Sequence, residues 1–264
     1  MYHDSNPIKI GLGKLKGRGK RVVSVNPVQT GYAAISDDWY GVTPGTDGLL
    51  IISLIRELMR SGNIDVDYLR RYTNAPWLVI RNPGAENDGL FLRDKDGEPQ
   101  VLNRATGKPV SHKTAGVSVG LQGEVKVKGG GFAVPAFMLM TEAYMDDRYG
   151  PEEVAGIVGI SAQRIRQFAA DLAEAAFARE VVVDQPWTDW KGERHEKMIG
   201  RPVSMHAMRG ISAHSNGFQT CRALHVLQLM LGSVEVPGGF RFKPPYPKPP
   251  HAHPKPAGRP DQVA

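Results

Sequence analysis

With 264 residues, 41% of them hydrophobic, and a mean hydropathy of −0.31, the chain is long enough for one large domain or two small ones. No apolar run in it approaches the roughly 20 residues of a membrane span. The +6 net charge sits at the ends: residues 1–21 carry +5, residues 241–264 carry +4, and the middle is −3. That distribution describes solvated terminal segments, not a nucleic-acid surface with basic and aromatic residues interleaved. One cysteine, Cys221, excludes an internal disulfide and any Cys-rich zinc or iron–sulfur site built by this chain alone.

The first ten residues, MYHDSNPIKI, lack the charged-then-apolar pattern of an export signal. Asp4-Ser5-Asn6-Pro7 predicts a helix start, since Asp, Ser or Asn can cap and Pro suits the first turn; Gly17 and Gly19 end it. Val22, Val23 and Val25 read as a short buried strand that stops at Asn26-Pro27, because proline offers no N–H to a ladder. Pro44-Gly45-Thr46-Asp47 then opens a helix to about Arg60, whose stripe of Ile51, Leu54, Ile55 and Leu58 is expected to pack on a sheet. A second short helix spans Val66 to Tyr72, closed by Asn74-Ala75-Pro76. A polar loop after a strand, leading into a helix N-terminus, is where open α/β sheets bind nucleotides.

Residues 78–130 are rich in Gly, Lys and Asp. Asp94-Lys95-Asp96-Gly97 between Leu90-Phe91-Leu92 and Val101-Leu102 predicts a β-hairpin on a surface excursion, and the ligand positions of a calcium loop are absent. From Pro135 to Ala178 the pattern is helical, with Ser161 a candidate cap, and Val181-Val182-Val183 follows as a second buried-strand candidate. The alternation predicts an α/β fold: an open, mainly parallel sheet flanked by helices. Gly210 through Gly217 should form a loop, and Phe218 to Leu231 a helix with Ala223, Leu224, Leu227 and Leu231 inward, making Cys221 a small core residue. Gly232 stops that helix, and Pro237-Gly238-Gly239 make a turn. The final stretch, 241–264, has eight prolines and reads as an unstructured tail or linker; His251 and His253 are free surface residues or a weak metal site.

Asn26-Pro27-Val28-Gln29-Thr30 and Pro44-Gly45-Thr46-Asp47, in this order and spacing, resemble the molybdopterin-guanine-dinucleotide oxidoreductases, the dimethyl sulfoxide reductase superfamily. The family usually has an acid where Asn26 stands and Arg where Gln29 stands; the Pro-Gly-Thr-Asp element is intact. Arg209-Gly210-Ile211-Ser212-Ala213-His214-Ser215-Asn216-Gly217, then Met230-Leu231-Gly232 and Pro237-Gly238, resembles the family's second cofactor loop, with Ala213 where Gln is frequent. A pterin-side hydrogen bond is thereby missing or supplied by Ser212 or Asn216. The resemblance covers nearly all of 1–240, with 78–130 as the excursion.

The resemblance implies molybdopterin guanine dinucleotide with molybdenum or tungsten, and cofactor contacts from Asn6, Asn26, Pro27, Thr30, Gly45, Thr46, Asp47, Gly210, His214 and Asn216. Asp47 is the acceptor for the guanine N1–H and N2–H2 pair, or else caps its helix; Asn6 is a contact or a helix cap. Arg209 and His214 face the pterin or hold a substrate oxyanion. The family's metal ligand and iron–sulfur cluster lie upstream of the matched stretch, so the resemblance implies a piece of a longer protein, with no metal ligand here and no activity alone. Arg201-Pro202-Val203-Ser204 through Phe218, with Phe240-Arg241-Phe242-Lys243-Pro244-Pro245, is similar to large subunits of the sulfite dehydrogenase and thiosulfate/polysulfide/tetrathionate reductase branch. That branch implies a sulfur-oxyanion substrate and two partners, an iron–sulfur electron-transfer subunit with a membrane quinone-reactive subunit. It also implies a cytoplasmic, membrane-associated location, with the periplasm as the alternative. A non-catalytic guanine-nucleotide or molybdopterin-binding module is the competing reading.

Overall fold

The computed structural model describes residues 7–207 and 209–241, so Asn6 and the stretch from 242 onward, with His251 and His253, lie outside the described residues. Helix α1 (Pro7–Gly17) starts on its proline and carries Lys14 and Lys16 in the last turn, where free carbonyls favour cations. Strand β1 (Val23–Val25) pairs in parallel with β2 (Asp38–Tyr40), Val23 opposite Asp38 and Val25 opposite Tyr40. Helices α2 (Asp47–Arg60) and α3 (Val66–Tyr72) follow, and Asp65 caps α3 by accepting from the Tyr68 amide at 2.9 Å.

The excursion forms β3 (Leu78–Arg81), β4 (Gln100–Asn103), β5 (Lys108–Ser111), β6 (Val125–Lys126) and β7 (Phe132–Pro135). These make an antiparallel sheet in the order β3-β7-β6 and a β4–β5 hairpin. The Asp94–Gly97 turn forms as expected: Arg93 bridges Pro99, Gly97 takes φ +82°, and Asp94 Oδ1 accepts from the amides of Asp96 and Glu98. Leu78, Ile80, Leu102, Val125 and Ala133 give this region a small core of its own.

Helices α4 (Ala136–Tyr144), α5 (Pro151–Val158) and α6 (Ala162–Ala173) come next, and Ser161 caps α6. Strands β8 (Val181–Val183) and β11 (Met198–Gly200) pair antiparallel and enclose a hairpin of β9 (Trp187–Thr188) and β10 (Arg194–His195). Helix α7 (Gly217–Met230) is the last helix among the described residues. Cys221 on α7 is a half-buried free thiol. Among the described residues no helix is long and apolar enough to cross a membrane.

The chain is mixed α/β, but the open, mainly parallel sheet is not what the described residues form. They make five small sheets, and only β1–β2 is parallel. The two valine runs expected to be buried strands are at most half-buried: Val23 and Val183 are partly covered, while Val25 is 40% exposed and Val182 45%. A parallel strand needs layers on both faces and a neighbour in register. β8 instead turns back through a hairpin onto β11, which satisfies its backbone without meeting β1.

The expected packing of α2 on a sheet is corrected in the same way: α2 packs on α7, α6, α5 and α4. Gly48, Leu50, Ile51, Ser53, Leu54, Ile55, Glu57 and Leu58 are all buried, more than the single stripe a sheet would cover. Glu57 tolerates burial because it is surrounded by guanidinium groups, Arg60 at 2.9 Å, Arg56 at 3.4 Å and Arg166 at 3.7 Å. Arg21 ties the small parallel sheet to this bundle, with Asp38 of β2 and Asp171 of α6 each 2.7 Å away.

Truncating Ile55, fully buried at the bundle centre, should cost about 2–5 kcal/mol in urea unfolding. Asp171 is desolvated, which raises its pKa, but bonds from Arg21 and Gln167 outweigh this and leave it lowered. A lowered carboxylate stabilises the fold above its unfolded pKa of about 3.9, and that stability is lost as pH falls through the folded value. Asp171→Asn should therefore lower Tm at neutral pH, and the gap to the parent should close in strong acid.

Candidate functional site

Pro44-Gly45-Thr46-Asp47 turns the chain from β2 into α2. Gly45 sits at φ +83°, a left-handed conformation that glycine adopts without strain. Thr46 is the N-cap residue, yet its hydroxyl donates backward to the Thr43 carbonyl at 2.7 Å, so no side chain caps α2. Asp47 is half-buried in the first helical turn, and its carboxylate takes no hydrogen bond from a described residue. The helix-cap reading of Asp47 thus has no bond behind it.

Helix α7 begins in the same manner. Asn216 is its N-cap residue and makes no side-chain cap bond. Its Nδ2 instead donates to the Gly45 carbonyl at 3.3 Å, across 171 residues of sequence. A methyl group built on Gly45 would lie 3.5 Å from His214 Nδ1, so the glycine turn and the His214 loop touch. Gly48 abuts Thr220 near the starts of the two helices, and the Asp65 amide, just past α2, donates to the Met230 carbonyl at the end of α7 at 2.7 Å. The helices therefore run side by side with the same polarity, and both uncapped N-termini emerge at one place. Free amides and aligned dipoles there attract anions.

Gly45, Thr46, Asp47, His214 and Asn216 are thus brought together. Arg209 and Gly210 lie in a single 3-10 turn, Arg209–Ser212, that leads to them, and both are exposed. Ser212 donates its hydroxyl to the Arg209 carbonyl at 2.9 Å, a bond that holds the turn. Asn26, Pro27 and Thr30 stand at the carboxyl end of β1, where the Asn26 amide donates to the Tyr40 carbonyl at 3.1 Å. They share that sheet edge with the chain leading to α2, and among the described residues no hydrogen bond joins them to the His214 loop. Sequence reasoning missed Gly48 and Gly217. A Cβ on Gly48 would meet Thr220 Oγ1 at 2.8 Å, and one on Gly217 would meet the Ser212 carbonyl oxygen at 2.2 Å. The signal available was a small residue in the first turn of each of two facing helices.

Asp189, Glu193 and His195 place ligand atoms within 4.8 Å of one another. Their bonds are those of a hairpin clip. Asp189 Oδ1 accepts from the amides of Lys191 and Glu193, and Oδ2 pairs with His195 Nε2 at 3.1 Å. Desolvation raises the Asp189 pKa, and these three donors together bring it below the usual range.

Two helix N-termini and a glycine turn beside a parallel strand pair form the kind of place at which α/β folds can receive an anion. No family model matches the chain. It is 42% identical over 270 residues to a sulfite dehydrogenase subunit of Allochromatium vinosum, covering 99% of this chain and 28% of that one. It is 30% identical over 162 residues to a putative dimethyl sulfoxide reductase catalytic subunit of Halobacterium salinarum, covering 60% of this chain and 19% of that one. Acetylene hydratase from Pelobacter acetylenicus shares the fold over 89% of this chain and 20% of that one, with a TM-score of 0.52 and 16% identity. The chain belongs to the dimethyl sulfoxide reductase family of molybdoenzymes. It spans 28% and 19% of the length of the two curated relatives.

The Gly48–Thr220 contact should be measurable as a coupling. Gly48→Ala and Thr220→Ala in a double-mutant cycle should show an interaction of roughly 0.5–3 kcal/mol, because the second change removes the atom the first one strikes. Additive effects would mean that the helices are not held this closely.

Proposed function

We propose that the chain is the cofactor-binding portion of a molybdenum or tungsten oxidoreductase catalytic subunit, holding the guanine dinucleotide form of molybdopterin at the joined N-termini of α2 and α7. The observation that carries this reading is the meeting of Gly45, His214 and Asn216 where two uncapped helices begin. The residues present fit the group. Gly45 leaves the space a side chain would fill, and the unbonded first amides of α2 offer donors to a diphosphate. Asp47, half-buried and without a hydrogen-bond partner among the described residues, offers a two-oxygen acceptor to the guanine N1–H and amino group. Asn26, Pro27 and Thr30 reach the ribose or phosphate, while Gly210, His214 and Asn216 serve the pterin side.

When bound, the group supplies metal-centred oxygen-atom transfer. The chain's own residues bind and orient it, and Arg209 and His214 serve either the pterin or a substrate oxyanion, the guanidinium by charge-assisted hydrogen bonds. A sulfur oxyanion or related substrate is supported by the names of the two relatives, a sulfite dehydrogenase and a dimethyl sulfoxide reductase. Both relatives are named as single subunits, which supports an assembly with others. An iron–sulfur electron carrier and a membrane quinone-reactive subunit are the partners proposed.

Calorimetric titration of the 264-residue chain with GDP and with ADP tests the dinucleotide site. GDP should bind at least about tenfold more tightly, because adenine leaves the Asp47 carboxylate unpaired, and Asp47→Asn should remove the preference. Equal affinity for the two nucleotides, or a preference that survives the substitution, would overturn the reading.

A further inference from the structure

Three stretches far apart in sequence meet at the C-terminal end of α3. Trp77 immediately precedes β3, His112 immediately follows β5, and Trp190 sits in the turn of the β9–β10 hairpin. Trp190 is 56% exposed, yet it is pinned, because its indole N–H donates to the Arg71 carbonyl at 3.1 Å. The His112 ring lies between the two indoles, with centroids 5.3 Å from Trp77 and 6.2 Å from Trp190, the latter pair only 30° from parallel. Glu98 holds that ring by accepting at 3.1 Å from Nε2, and Lys113 in turn pairs with Glu98 at 2.7 Å.

These rings, with Arg71 and Tyr72, bound a cleft of about 310 Å³. An adjoining cavity of about 20 Å³, room for roughly one water, adds Arg70 and Lys191 to the lining. Among the described residues no carboxylate lines either space. Arg70 Nε is buried without a hydrogen-bond partner, which leaves a donor beside the cleft unsatisfied. Lys191 lies 5.2 Å over the Trp190 ring. An aromatic cage for a quaternary ammonium group would exclude cations from its wall; this cleft carries several. Flat π faces beside guanidinium and ammonium donors complement a planar ring that bears a negative substituent.

We infer that this cleft binds a small planar aromatic anion, a one- or two-ring aryl carboxylate or phosphate. Its ring lies in the cleft against the open faces and edges of the Trp77, His112 and Trp190 rings, and its anionic group is taken by Arg71 with Lys191. The excursion 78–130, which carries no chemistry in its sequence pattern, thereby supplies one wall of a binding site. The site is assembled only when the hairpin tip is docked on α3.

The test is titration of the 264-residue chain with 2-naphthoate, followed by calorimetry and tryptophan emission. Neutral 2-naphthylmethanol and the non-aromatic cyclohexanecarboxylate serve as paired controls. Naphthoate should bind about tenfold or more tightly than either control and perturb the emission. Arg71→Gln keeps the carbonyl that Trp190 needs and should weaken naphthoate about tenfold while leaving the naphthylmethanol response unchanged. Trp190→Phe, which keeps a ring, should weaken binding less than Trp190→Ala, and Arg148→Gln should change nothing. The proposal is overturned if millimolar naphthoate gives neither heat nor an emission change. It also fails if the neutral analogue binds equally, or if both Arg71→Gln and Trp190→Ala leave the affinity as it was.

Discussion

The close, same-direction packing of α2 against α7 is the constraint on which the remaining structure depends. It requires a glycine at Gly48, because any larger residue would strike Thr220. It also requires the Gly217 start, which lets the Arg209–Ser212 turn fold back onto the helix it precedes. Once the two helices are seated, Leu54, Ile55, Leu58, Leu227 and Met230 share one core, and α4, α5 and α6 close around it. The same packing places Asn216 on the Gly45 carbonyl, so the core and the candidate site are two ends of a single helix pair.

Much of this was legible in the sequence where local rules decide. The period of Ile51, Leu54, Ile55 and Leu58, the Pro44-Gly45-Thr46-Asp47 turn, the Ser161 cap and the Asp-Gly turn of the excursion all depend on neighbours within a few residues. The sheet was not legible. Val181 to Val183 and Val22 to Val25 have the composition of interior strands, but composition does not say which partner a strand finds. The return of β8 onto β11 is a pairing set by the β9–β10 hairpin. The packing partner of α2 was missed for a related reason: a stripe on a helix shows that something covers it, not whether that cover is sheet or helix.

The candidate site divides along the same line. Motif order in the sequence marked Gly45, Thr46, Asp47, His214 and Asn216, residues that the fold places at one point. Gly48 and Gly217 carry no chemistry of their own, and their part appears only when the distance to Thr220 and Ser212 is known. Trp77, His112 and Trp190 are distant in the sequence, with seven strands and three α-helices lying between the first and the last. Their convergence is a property of tertiary packing alone.

Two helices of equal polarity lie side by side, each 14 residues long, and each begins without a side-chain cap. Dipoles arranged head beside head repel, and neither end has a side-chain cap to blunt the effect. Asp47, at the first position of α2, supplies a single negative charge against both. The packing that builds the core therefore stores an electrostatic mismatch at the site, which an incoming anion relieves. On the proposed function, occupancy and fold stability form one linked equilibrium, and thermal resistance rises with the logarithm of ligand concentration. On that same reading, a cell short of the ligand holds this protein in its least durable form.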